Sequence, residues 1–149
     1  MQKEEQENIE KWVKTAADFH GHLGPFLALG VRIGLIGLRE LQTRRGDLKL
    51  HATTLLACKV PFSCTIDGIQ AVTQCTVGNG RLQIKNVKNR FAASFQLNQK
   101  SEVTITLKPA KFDELKNALP KTVHSYRYIQ LARKIASLPE SELFSIKTK

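Results

Sequence analysis

Apolar residues recur at helical spacing over 2–18, where Ile9, Trp12, Val13, Ala16 and Ala17 form one stripe. Glu4, Glu5, Glu7 and Glu10 come early in this segment and Lys11 and Lys14 late, which complements a helix macrodipole. A second helix is predicted from Pro25 to about Leu41, apolar nearly all round and therefore central. Gly30, Gly34 and Gly37 are costly inside a helix unless another backbone packs closely against them, so close packing is expected there. Arg44-Arg45-Gly46-Asp47 then turns the chain. Residues 48–60 read as a strand centred on Leu55, Leu56 and Ala57 and stopped by Pro61. Ser63 stands as the N-cap of a short helix reaching Val72 or Thr73.

After the turn at Gly78-Asn79-Gly80 the period changes to two. Leu82 and Ile84 alternate with polar residues, as do Phe91, Ala93, Phe95 and Leu97, and then Val103, Ile105 and Leu107. Short polar links join these three segments, which predicts a meander. Pro109 opens a helix carrying Phe112, Leu115 and Leu119, another helix follows from about Thr122 to Ser137, and Pro139 begins a brief final turn. The order is helix, helix, strand, helix, three strands, helices: an α+β chain. The strand–helix–strand unit from Leu50 to Val87 should be a right-handed crossover with parallel strands.

Composition narrows the class. The 149 residues, 42% hydrophobic and 24% charged, suit one domain over residues 1–149, without repeat or linker. The acidic, polar start is no secretory signal, and the run from Leu23 to Leu41, interrupted by Arg32 and Arg39, is no convincing membrane span. Cys58, Cys64 and Cys75 make no even disulfide framework, so a reducing cytoplasm is the default. The net charge of +10 permits a nucleic-acid surface, with basic residues at Arg39/Arg44/Arg45/Lys49 and Arg81/Lys85/Lys88/Arg90. No helix-turn-helix, knuckle or aromatic RNA-binding strand accompanies that charge, which makes nucleic acid the weaker reading.

Candidate chemistry starts at Phe19-His20-Gly21-His22-Leu23-Gly24-Pro25. Residues two apart share a face only in extended or bent backbone, so joint action of the imidazoles needs a hinge, which Gly21, Gly24 and Pro25 favour. His22 would stand just outside the positive end of the following helix, where the neutral, metal-ligating imidazole is favoured. Spacing alone leaves open a metal site and two ordinary loop histidines. Cys64 is placed in the first turn of a helix after a strand, where exposed amides favour thiolate, the form that nucleophilic chemistry and metal ligation both need. A small buried cysteine is the alternative. Asp67 and Gln70 follow at i, i+3 spacing and could orient a ligand, or be a solvated carboxylate and a packing amide. Cys58, within the strand, and Cys75 are expected to be buried, with Cys75 the nearer to any site. His51 and His124 have no evident partner.

These residues together resemble the FmdE family, which takes its name from formylmethanofuran dehydrogenase. The similarity is carried by His20-Gly21-His22-Leu23-Gly24-Pro25 with Gly30 and Arg32, by Ser63 to Gln70, by Thr73 to Gly80, and by the closing Leu138 to Phe144. The resemblance implies an α-β-α-β-β-β core with a four-stranded mixed sheet, flanked by helices. It also implies zinc or another divalent transition metal, with His20, His22 and Cys64 as ligands and Asp67, Gln70 and Cys75 around them. Many members carry cysteine where this chain has Gly24, and many carry a C-x-x-C finger of which there is no trace here.

The expectation is therefore a metal-binding FmdE-like protein, linked through the family name to formylmethanofuran dehydrogenase or one-carbon metabolism. If it is an enzyme, Cys64 and Asp67 are the catalytic candidates. Hydrolytic or thiol chemistry on a small molecule then fits better than hydride transfer, because no dinucleotide fingerprint is present. A non-catalytic accessory or metal carrier is the alternative, ahead of a nucleic-acid module. The glycine-rich helix and the strand edges allow a homodimer without requiring one.

Overall fold

The computed structural model describes residues 1–122 and 125–149, so His124 lies outside the described residues. Helices α1 (Lys3–His20) and α2 (Pro25–Glu40) are followed by β1 (Leu50–Leu56), α3 (Cys64–Thr73), β2 (Leu82–Asn86), β3 (Ala92–Leu97) and β4 (Ser101–Leu107). Helices α4 (Pro109–Ala118), α5 (Tyr126–Ser137) and α6 (Glu140–Leu143) and strand β5 (Phe144–Thr148) complete the chain. No described helix is long and apolar enough to cross a membrane.

The expected α+β class and mixed sheet are present. Strand β1 pairs parallel to β2 and antiparallel to β3 and so lies between them. Of the three strands expected to form a meander, only β3 and β4 pair with each other, because the parallel crossover puts β2 on the far side of β1. The sheet has five strands among the described residues rather than four, in the order β2-β1-β3-β4-β5. The additional strand, β5, pairs antiparallel with β4, placing Ile146 opposite Ile105 and Phe144 opposite Leu107. Its alternation of Phe144 and Ile146 with Ser145 and Lys147 is a period-2 signal, though only five residues long.

One sheet face carries buried Leu50, Ala52, Leu56, Ala93, Phe95, Val103, Ile105 and Leu107, while His51, Gln83, Lys85 and Gln96 lie exposed on the other. Helix α2 packs over the core face and is itself covered by α1, α3 and α5. Its almost unbroken apolar sequence follows from that central place: twelve of its sixteen residues are buried, Arg32 among them. The Arg32 guanidinium donates to the carbonyls of Ile135, at 3.0 Å, and Leu138. A buried cation thus meets the orphan carbonyls and negative dipole end of α5. Burial pulls this guanidinium below its ordinary pKa, and the charges of Glu140 and Glu5 oppose that pull.

The glycines of α2 meet the packing expected of them. A Cβ on Gly30 would lie 2.0 Å from the Thr65 carbonyl oxygen, and one on Gly68 of α3 would lie 2.5 Å from the Leu27 carbonyl oxygen. At Gly34 the neighbour is Val72, and at Gly37 it is the Phe95 ring. The α2–α3 contact is thus backbone against backbone at Gly30 and Gly68, closer than any side chain permits.

Several boundaries differ from expectation. Helix α1 runs past Asp18 to His20. Strand β1 stops at Leu56, so Cys58 lies beyond it and is exposed rather than buried. Ser63 does not cap α3. Its backbone is already α-helical, and the amides of Cys64, Thr65 and Ile66 are accepted by the carbonyls of Pro61, Phe62 and Ser63 in a preceding turn.

Gly30→Ala should therefore lower unfolding stability by at least the roughly 1–3 kcal/mol typical of overpacking. Gly78→Ala, whose nearest neighbour beyond the adjoining residues would be Thr76 Oγ1 at 3.9 Å, should stay within about 0.5 kcal/mol. Denaturant midpoints of the two variants against wild type make the measurement, and equal midpoints would refute the backbone contact.

Candidate metal centre

The two histidines stand at a helix–helix corner. His20 is the last residue of α1, which ends on Gly21 in the left-handed region (φ +106°), with the Gly21 amide donating to the Ala17 carbonyl at 2.8 Å. A glycine suits that conformation because it has no Cβ to clash. His22 lies in the short link before α2, whose N-cap is Gly24 and first residue Pro25. The hinge is thus a helix end plus one bent residue, and it brings the two rings to 4.5 Å between centroids.

Cys64, the first residue of α3, meets this corner from the side. One ligand atom from each of His20, His22 and Cys64 lies within 4.8 Å of the other two. Two phenylalanines fix this convergence: Phe26, four residues past His22, and Phe62, two before Cys64, meet edge to face at 5.2 Å. Phe91 and Phe112 complete the aromatic cluster. Such contacts stabilise by about 0.5–1.5 kcal/mol each beyond burial.

Asp67, one turn into α3, binds His20 rather than standing free in solvent. Its Oδ2 lies 2.6 Å from His20 Nδ1, and its Oδ1 accepts from Gln70 Nε2 at 3.1 Å. Gln70 Oε1 in turn accepts the Val77 amide at 3.2 Å. A carboxylate only accepts, so Nδ1 carries a proton, and in the neutral ring it is Nε2 that keeps the lone pair. That Nε2 is buried and has no hydrogen-bond partner among the described residues. A buried ring nitrogen without a partner is costly unless something electrophilic meets it. Two imidazoles and a sulfur are the donor set of zinc-like ions, so these residues fit the metal that the sequence suggested.

The thiol departs from expectation. Burial, then the Asp67 charge, push Cys64 above the ordinary thiol value, and its backbone hydrogen bond only partly offsets them. The first amides of α3 are already taken by the preceding turn, so the helix start offers the sulfur less than its position in sequence promised. Cys75 does not approach the centre: it is fully buried, and its thiol donates to the Leu50 carbonyl at 3.3 Å. His51 is exposed on β1.

Sequence reasoning missed Tyr128 of α5. It is 3% exposed, and its ring lies 6.4 Å from that of His22. In the sequence it is simply one apolar-stripe position with Ala132, Ile135 and Ala136. Burial, with a smaller contribution from Cys64, pushes its phenol up. Separately, a groove of about 520 Å³ runs between α1 and α5, with Ala17, Leu23, Ala136, Asp18 and Arg133 in its lining and none of His20, His22, Cys64 or Tyr128.

The basic clusters are partly structural. Arg39 is clamped by Glu140 through two bonds of 2.7 and 3.1 Å, Arg45 lies 5.0 Å over the Trp12 ring and donates to the Ala71 carbonyl, and Arg81 donates to the Asp47 and Gln74 carbonyls.

The chain is similar to known proteins in two comparisons. Over 77 residues the chain is 35% identical to a probable S-adenosyl-L-methionine-binding protein of Archaeoglobus fulgidus, an overlap that takes in 52% of this chain and 21% of that protein. The chain thus spans about a fifth of the length of the curated relative it matches. The family model described as FmdE, Molybdenum formylmethanofuran dehydrogenase operon, matches residues 19–145, a span holding His20, His22, Cys64, Asp67 and Tyr128. With most of its length inside that match, the chain belongs to the FmdE family.

Proposed function

We propose that the chain binds one divalent transition metal, zinc-like in its preferences, through His20 Nε2, a ring nitrogen of His22 and the Cys64 sulfur. The observation that carries this reading is the buried, unpartnered Nε2 of His20, beside a second imidazole and a thiol. Held by these residues, such an ion would supply Lewis acidity to a small molecule that reaches it. The residues do the rest. Asp67 orients His20 and fixes its tautomer, and Gln70 holds Asp67. With both carboxylate oxygens engaged, Asp67 is better suited to positioning than to general-base work. Cys64 gives up its proton when it ligates, since burial keeps it a thiol otherwise.

This arrangement suits hydrolytic or thiol chemistry on a small molecule that reaches the ion. The same donors serve a carrier or an accessory of a formylmethanofuran dehydrogenase-type enzyme, the role the family's name suggests. A nucleic-acid role is disfavoured, because Arg39, Arg45 and Arg81 are tied into the fold rather than free along a groove.

Elemental analysis of purified protein should find about one equivalent of metal per chain in wild type, with strong depletion in His22→Ala and Cys64→Ser. Full metal content in both variants would sink the ligand assignment. Asp67→Asn should keep the fold but weaken metal affinity by about 10–100-fold, as measured by competition with a chelating dye. In metal-free protein the same substitution removes the negative charge that raises the Cys64 pKa. The pH midpoint for alkylation of Cys64 should therefore move down in Asp67→Asn; an unmoved or higher midpoint contradicts the electrostatic account.

A further inference from the structure

Tyr128 comes to the centre from α5, 106 positions along the chain from His22, and its placement is held from two sides. Arg32 of α2 caps the far end of α5 through the Ile135 and Leu138 carbonyls. The phenol end presses on the hinge itself, since a Cβ built on Gly24 would lie 2.7 Å from Tyr128 Cε1 and 2.8 Å from its Oη. Gly24 has an extended backbone (φ −147°, ψ 165°) that any residue adopts, so its lack of a side chain serves space rather than conformation. The residue so admitted is 3% exposed, and its ring lies 6.4 Å from that of His22.

We propose that Tyr128 is the hydrogen-bond donor to the exogenous ligand of the metal centre, and that Gly24 is side-chain-free so that the phenol can reach that ligand. The inference rests on the His20–His22–Cys64 metal reading and adds the chemistry of what binds there. A phenol O–H selects a donor atom that keeps a lone pair after meeting the metal: a carboxylate, a carbonyl oxygen or a thiolate. Asp67 acts on the opposite nitrogen of His20, so the protein's orienting carboxylate and its ligand-facing donor belong to different elements and can be separated by mutation. If the Tyr128 ring serves only to pack against His22, its hydroxyl is dispensable.

Cobalt(II)-loaded wild type, Tyr128→Phe and Gly24→Ala, titrated with acetate and followed by the visible d–d spectrum, separate these roles. Tyr128→Phe should take up cobalt with wild-type affinity yet bind acetate about tenfold more weakly, the effect of one hydrogen bond to a charged acceptor. Gly24→Ala should lose acetate affinity alike in the wild-type background and add nothing in the Tyr128→Phe background. Equal acetate affinity in wild type and Tyr128→Phe, or a wild-type spectrum unresponsive to acetate, overturns the role of Tyr128 and leaves the metal centre standing. Additive losses overturn the part given to Gly24. Failure of wild type to take up stoichiometric cobalt removes the metal reading, and Tyr128's role with it.

Discussion

The contact between α2 and α3 at Gly30 and Gly68 is the constraint on which the rest of the structure depends. Each glycine lies where a Cβ would run into the other helix's backbone, at 2.0 Å from Thr65 O and 2.5 Å from Leu27 O. Two helices that meet through side chains stand apart by the thickness of those side chains. Without that thickness, the first turn of α3 sits against the first turns of α2. Cys64 and Asp67 are on that turn of α3, and His20 and His22 are on the corner just before α2. The glycine cost in helix propensity is thus offset by a distance that only glycine permits, and that distance makes a shared ligand cluster feasible.

Two further devices keep the cluster from drifting. The edge-to-face pair of Phe26 and Phe62 ties the start of α2 to the segment before Cys64, backed by Phe91 and Phe112 from the sheet side and α4. Arg32, buried in α2, holds the carbonyl end of α5, and Arg39 clamps Glu140 at the start of α6. The side chains that set α5 and the C-terminal segment in place therefore come from the same helix that the glycines position. Rigid support of this kind is what a preorganised ligand set requires.

The electrostatics of the centre follow from its burial. Low polarity keeps Cys64 a thiol and leaves His20 Nε2 without a partner, so both donors are held in forms that a cation would improve. Asp67 supplies the compensating negative charge at one remove, through the imidazole. That carboxylate raises the thiol pKa in the absence of an ion and would favour the cation in its presence.

The α+β order, the β3–β4 hairpin, the bent histidine hinge and the start of α3 at Cys64 were legible in the sequence, because each is written in local periodicity, glycine or proline. The parallel pairing of β1 and β2 followed from the strand–helix–strand order, but the insertion of β1 between β2 and β3, which breaks the expected meander, did not. Strand β5 escaped because five alternating residues are too few to compete with the helix and proline before them. The fates of the cysteines were decided only in three dimensions: Cys75 points to the Leu50 carbonyl and Cys58 lies past the end of β1, and neither outcome is encoded by neighbours in sequence. The same holds for the raised Cys64 thiol, the Asp67 bond to His20, and Tyr128 against Gly24. Each depends on groups brought together from distant parts of the chain, and local sequence sets conformation while burial and charge are properties of the assembled neighbourhood.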